Sequence, residues 1–261
     1  MRDSTRMRIG MTKTIAAVAV IASMGAALGC GSGPSGPSGV RTSAIYATAQ
    51  QGSVLVRIDP TNGSATVVGP LGINGGFALA GRSDGVLFTV TDSGFTANPD
   101  ARAATVDRRT GGATVFGQRF GEYLRMMGLA FGRDGTLYGS SPITGALYRI
   151  DLATGRQVMI GPFGVGGVMD LAVDASGGLW ANTQTALYRV DPTTGAAALA
   201  ARVSGAAMLM GITFDAEGRL FATTYEANSM LYRIDPATGA ATMVGSTGVA
   251  FVHSAEFSSG H

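Results

Sequence analysis

Gly128-Leu-Ala-Phe131, Leu137-Tyr-Gly-Ser140, Leu147-Tyr-Arg-Ile-Asp151 and Gln157-Val-Met-Ile160 follow one another as four short apolar runs divided by turn residues. The first pair is joined by Gly132-Arg-Asp-Gly135 and the last pair by Asp151-Leu-Ala-Thr-Gly155. Both connectors carry turn chemistry: Asp caps its own backbone and the final Gly accepts a positive φ. The stretch predicts strands a, b, c and d of one antiparallel unit.

The unit recurs. Asp-x-x-Thr/Asn-Gly appears at Asp59–Gly63, Asp107–Gly111, Asp151–Gly155, Asp191–Gly195 and Asp235–Gly239. Chance at this composition supplies about a quarter of one occurrence. Successive aspartates are 48, 44, 40 and 44 residues apart, around the ~40–45 residues of a four-stranded propeller blade. The a-to-b turns repeat as Asp174-Ala-Ser-Gly177 and Asp215-Ala-Glu-Gly218, and strand b carries an aromatic at Tyr46, Phe88, Tyr138, Trp180 and Phe221. Such aromatics suit a surface buried between sheets. Ser254-Ala-Glu-Phe257 aligns with strand a, whereas Ile45-Tyr46 aligns with strand b, so the last strand completes the first blade. The expectation is all-β: a single five-bladed β-propeller of four-stranded antiparallel blades, closed by the C-terminal strand and free of open sheet edges.

These motifs resemble bacterial exported propeller lipoproteins with Leu-Tyr-Arg-Ile-Asp-Pro-x-Thr-Gly repeats. More loosely, they are similar to NHL-repeat and gluconolactonase-like propellers with Asp-x-x-Gly-x-Leu-aromatic turns. The resemblance covers nearly all of residues 43–257 and bears on architecture, because what recurs is turn and core chemistry.

Ahead of the repeats, Arg2, Arg6, Arg8 and Lys13 precede an uncharged apolar stretch from Ile15 to Leu28, the pattern of a secretion signal. The stretch is shorter than the ~20 residues that span a bilayer. It ends Ala27-Leu28-Gly29-Cys30, which resembles the lipobox of bacterial lipoproteins, whose cysteine is acylated as the mature N-terminus. Families usually place Leu where Ala27 stands, so ordinary cleavage near Ala26 or Ala27 stays open. Cys30 is the only cysteine, which excludes an intrachain disulfide and suits an anchor. Residues 30–42, rich in Gly, Ser and Pro, read as a tether. The expected organisation is a signal peptide over 1–29, a lipidated tether over 30–42 and the propeller over 43–261.

Of 19 basic residues 15 follow Cys30, against 16 of the 17 acidic ones, leaving a mature net charge of −1 and no basic footprint for nucleic acid. Lys13 is the only lysine, so the mature chain has no lysine nucleophile, and His253 and His261 are the only histidines. A histidine metal cluster or a Ser-His-Asp triad therefore has little to draw on. Gly81-Arg-Ser-Asp-Gly85 matches the G-x-S-x-G elbow, but it occupies an a-to-b hairpin with no helix after it. No catalytic residue is assigned.

Departures from the repeat point to two candidate sites. Where strand a begins, Ala78, Gly128, Gly211 and Ser254 are small but the fourth unit has Asp170; two positions on, Ala80, Ala130, Ala172 and Thr213 give way to Glu256. With His253 and Asn182 these carboxylates are candidates for a ligand or metal site at the channel mouth, or for a satisfied axial polar pair. The longest loop, Thr91–Ala103, and the connection Gly117–Met127 bring Asp92, Phe95, Asp100, Arg102, Arg119, Phe120, Glu122, Tyr123 and Arg125 to one face as a partner-binding patch.

The functional expectation is a non-enzymatic, monomeric lipoprotein of the bacterial cell envelope, at the outer membrane or periplasmic face. Its loops would bind an envelope protein or glycan, with no cofactor and no membrane contact beyond the lipid. The alternative is a metal-assisted, lactonase-like hydrolase with a divalent cation at the channel mouth.

Overall fold

The computed structural model describes residues 43–91, 101–120 and 124–258. The signal segment, Cys30 and the tether lie outside the described residues, as do Asp92, Phe95, Asp100, Glu122 and Tyr123.

Five four-stranded antiparallel sheets form a five-bladed β-propeller. The first blade contains β1 (Ala44–Ala49), β2 (Val54–Ile58) and β3 (Ala65–Pro70); the second β4 (Leu79–Gly81), β5 (Leu87–Val90), β6 (Ala103–Val106) and β7 (Ala113–Phe116). The third is β8 (Gly128–Phe131), β9 (Leu137–Ser141), β10 (Ala146–Ile150) and β11 (Gln157–Pro162). The fourth is β12 (Asp170–Val173), β13 (Leu179–Asn182), β14 (Ala186–Val190) and β15 (Ala197–Arg202). The fifth is β16 (Leu209–Phe214), β17 (Leu220–Thr224), β18 (Met230–Ile234) and β19 (Ala241–Ser246). The last strand, β20 (Ala255–Ser258), pairs with β1 through Tyr46↔Glu256 and Ala47↔Ala255, completing the first blade. The inner strands β4, β8, β12, β16 and β20 touch in sequence around the axis, and β20 returns to β4.

The turn motif behaves as its chemistry predicts. Asp59 Oδ1 accepts the Thr61 N–H at 2.8 Å, and the Gly63 N–H closes onto the Asp59 carbonyl at 2.8 Å. Asp107, Asp151, Asp191 and Asp235 repeat the arrangement. These hydrogen bonds hold the aspartates below the usual carboxylate range. The closing glycine has a second duty beyond its positive φ. A Cβ on Gly63 would lie 2.8 Å from the Gly245 carbonyl carbon of the preceding blade, and one on Gly111 would press on Gly69 in the same way. The motif thus fixes both the hairpin and the blade-to-blade approach.

Between blades, the strand b aromatics Phe88, Trp180 and Phe221 are buried, as expected of sheet-packing residues. Several are capped by arginine: Arg189 lies 4.0 Å over the Trp180 ring, Arg82 4.9 Å over Phe88 and Arg108 5.4 Å over Tyr46. Arg189 also reaches Asp174 at 2.9 Å, so this strand c arginine covers sheet surface with its stem while its head meets a turn carboxylate. Ser83 sits exposed in the β4–β5 hairpin beside the Arg82–Asp84 ion pair, which is a surface turn and not a nucleophile elbow.

Candidate functional site

An inner strand has no sheet neighbour toward the axis, so its outward N–H groups need other acceptors. Asp170, Thr213 and Glu256 supply them. Asp170 Oδ2 accepts from Ile212 N at 3.1 Å and Ala255 N at 3.4 Å. Thr213 Oγ1 accepts from Phe257 N at 2.8 Å. The Glu256 carboxylate accepts from the Gly81 N–H. Each polar residue therefore joins its own inner strand to the next one.

Asp170 does most of this. It is 1 % exposed, and burial pushes its carboxyl well above the usual range despite the backbone donors. In the protonated form Oδ2 serves the two N–H groups while Oδ1–H faces Ser254 Oγ, 3.2 Å away. Ser254 Oγ then donates to the Leu79 carbonyl at 3.2 Å. This chain links the inner strands of the fourth, fifth, first and second blades. Gly128 of the third packs against Asp170 itself, because a Cβ there would sit 2.6 Å from the Asp170 Cα.

Asn182 is buried and fully used. Its Oδ1 accepts from Asp170 N at 3.1 Å, and its Nδ2 donates to Met210 O at 3.2 Å. Ser140 and Thr223 capture the N–H of Gly128 and Gly211 at the same register. The signal for this staple is a polar residue two places after the strand b aromatic, Ser140, Asn182 and Thr223; Thr48 at the same register donates instead to the Phe77 carbonyl, and Val90 is apolar.

Glu256 stands one layer further along the axis than Asp170, since two residues of strand advance ~6.6 Å. Enclosure of its carboxyl end pushes it up to about 8, against a smaller opposing pull from Arg108. Among the described residues no group of three His, Cys, Asp or Glu side chains is placed to hold a metal ion. Asp170, Asn182 and Glu256 are each engaged in supporting the inner ring.

His253 belongs to a different layer. The residue preceding each strand a start faces the axis on the loop side: Phe77, Met127, Met169, Met210 and His253. Phe77, Met127 and Met210 form a buried cluster with Met169 and Tyr225 packed against it. The His253 ring lies 4.4 Å from Phe77 and 4.9 Å from Tyr225, centroid to centroid. It is 4 % exposed. Burial lowers its pKa to about 3, with Arg125 adding repulsion, so the imidazole is neutral.

Two residues earlier, every blade has a left-handed backbone. Gly75 and Gly167 adopt φ of 66° and 74°, but the other three blades place Arg125 at 41°, Met208 at 56° and Phe251 at 54°. A left-handed non-glycine residue costs about 1–2 kcal/mol, so three side chains are held at the loop face against local preference. Phe251 stacks toward Tyr225 at 5.0 Å, and Met208 is 39 % exposed. Neither the axial ring nor this rim was found from sequence. The available signal was the triplet before strand a, Arg125-Met-Met127, Met208-Leu-Met210 and Phe251-Val-His253, whose middle residue is always buried.

Of the residues expected in the partner patch, Arg102, Arg119, Phe120 and Arg125 are among those described. Arg119 is exposed and Arg102 and Arg125 are half-buried. Phe120 is a correction: it is 7 % exposed and packs with Leu124 and Met126 in the core between the second and third blades, held by Phe120 N donating to Ala101 O at 2.9 Å. It anchors the loops and presents nothing to a partner. On the opposite face, a groove of about 430 Å³ is lined by Arg149 and Asp151, and another of about 330 Å³ by the equivalent Arg233 and Asp235. Recurrence at repeat positions marks these as scaffold.

No protein-family model matches the chain, and no curated protein does. Among solved structures, the chain is similar to a protein of unknown function from Bacteroides thetaiotaomicron, at TM-score 0.56 and 14% identity over 82% of this chain and 64% of that one. It is likewise similar to a chain of a nidogen/laminin complex, at TM-score 0.56 and 10% identity over 82% and 97%. A 6-phosphogluconolactonase-like protein from Bacteroides fragilis is similar at TM-score 0.48 and 12% identity over 85% and 99%, too low to carry an argument about lactone chemistry. The likeness is one of fold, and the chain is a five-bladed β-propeller similar to other propeller proteins.

Proposed function

We propose that the chain is an exported binding propeller of the bacterial cell envelope, without enzymatic activity, tethered through an acylated Cys30, whose loop face docks a protein partner. The observation that carries this reading is the strained rim. Arg125, Met208 and Phe251 keep positive φ at a register where two other blades use glycine, and such strain tends to persist where side-chain placement is needed. Arginine, methionine and aromatics are also enriched at protein interfaces, which favours a protein over a glycan. The engagement of Asp170, Asn182 and Glu256 in joining inner strands supports this reading over the lactonase-like alternative.

Site-specific photo-cross-linking tests it. A photoreactive residue at Met208 should give a discrete protein adduct in envelope preparations, whereas one at Met159, 57 % exposed on an outer strand, should not. Equal labelling from both positions, or a glycan adduct alone at 208, would refute a protein-docking loop face. For the anchor, Cys30→Ala should release the protein from membranes, and continued retention would count against acylation.

A further inference from the structure

We infer that the axial ring of Met127, Met169, Met210 and His253 is a binding site for a single soft monovalent metal ion, Cu(I). The four residues occupy consecutive places around the five-membered ring, in the third, fourth, fifth and first blades. The Met127 and Met210 side chains are buried in one cluster, with Met169 packed against it. Thioether sulfur is uncharged and polarisable, and with imidazole it selects Cu(I) over hard oxygen-seeking cations.

The independent observation is His253. Both of its ring nitrogens are buried and have no hydrogen-bond partner among the described residues, although the side chain is only 4 % exposed. An unsatisfied buried polar group is destabilising, and an apolar residue would fill the place at no such cost. Aromatic contacts with Phe77 and Tyr225 hold the ring instead, leaving its nitrogens available to a ligand.

Methionine is also out of character here. The largest fully buried side chains are mainly Leu, Ile and Phe, with Met126 the one methionine among them. Packing alone would be served by leucine, whereas three methionines at equivalent places supply three sulfur donors. The site stands apart from the partner-docking reading, and either holds if the other fails.

The test is anaerobic competition for Cu(I) against bicinchoninate, using the full chain with Cys30→Ser so that no thiol contributes. One Cu(I) per chain should be withdrawn. His253→Leu and the combined Met127→Leu, Met169→Leu, Met210→Leu variant should each lower affinity at least tenfold. Met159→Leu with Met243→Leu, altering exposed methionines on outer strands, should change nothing. Failure of the parent chain to withdraw Cu(I), or equal withdrawal by His253→Leu, overturns the inference. X-ray absorption at the copper edge of the loaded parent chain gives a readout independent of variant folding: sulfur with one nitrogen is expected, and a shell of oxygen and nitrogen alone contradicts it.

Discussion

The Asp170 carboxyl and the backbone N–H of Ile212 lie 3.1 Å apart across the junction of the fourth and fifth blades. With Ala255 N and Ser254 Oγ on the same carboxyl, this contact makes a single side chain the fastener of the inner ring.

Replacement of Asp170 should therefore depend on shape and hydrogen bonding, not on charge. Asp170→Asn reproduces the protonated acid, with one acceptor for Ile212 and Ala255 and one donor for Ser254, and should melt within a few degrees of the parent. Asp170→Ala orphans buried donors and should cost about 2–4 kcal/mol, or roughly 2–4 °C per kcal/mol in Tm. Thermal melts of the two variants check this, and an Asp170→Ala protein as stable as the parent would sink the fastener role.

Glu256 predicts a pH dependence of definite sign. Its folded pKa of about 8 stands above the ordinary 4.5, so the folded state binds the proton more tightly than the unfolded chain. Its contribution is fully present below about pH 4.5 and is lost as pH rises through about 8. Glu256→Gln stays neutral, so its Tm relative to the parent should climb steadily between pH 5 and 8.5. A constant difference across that range would count against an enclosed carboxyl.

His253 has the opposite sign. Its pKa is lowered to about 3 from 6.5, so its contribution is present above pH 6.5 and lost as pH falls toward 3. Without metal, His253→Leu removes two unpartnered nitrogens from an apolar ring and should raise Tm by about 2–12 °C at pH 7, with a shallower acid-side decline. A lower Tm for the variant would mean that the imidazole is satisfied where it sits.

Two turn aspartates should differ although both read alike as caps. Asp191 serves its own fully exposed hairpin, and Asp191→Ala should lower stability only slightly. Asp174 accepts from Ser176, Gly178, Trp180 Nε1 at 2.7 Å and Arg189. Burial works to raise its pKa, but these donors outweigh it and hold the carboxyl well below the usual range. Asp174→Ala should cost about 2–3 kcal/mol, and denaturant melts of the two variants compare them directly.

The blades were legible because their determinants are local. Asp59 with Thr61 and Gly63, or Asp191 with Thr193 and Gly195, fold a hairpin within five residues, and the return of β20 to β1 followed from aligning Ser254–Phe257 with strand a. Asp170 and Glu256 were also legible as departures. Their role was not, because it depends on which N–H of a neighbouring blade each faces, a relation 42 residues distant for Asp170 and Ile212. Phe120 misled because an aromatic among loop residues reads as exposed until packing between blades is known. The axial ring stayed hidden because Phe77, three methionines and His253 form no single motif, and only the shared register before strand a unites them.

The central claim, that the loop face around Arg125, Met208 and Phe251 is the working surface, is tested most directly by Arg125→Gly, Met208→Gly, Phe251→Gly in one chain. Glycine matches the positive φ of all three positions, so the fold is expected to persist with little change in Tm. Capture of the partner with a general chemical cross-linker should be lost while the melt is retained. Undiminished capture by a well-folded triple variant would contradict the account.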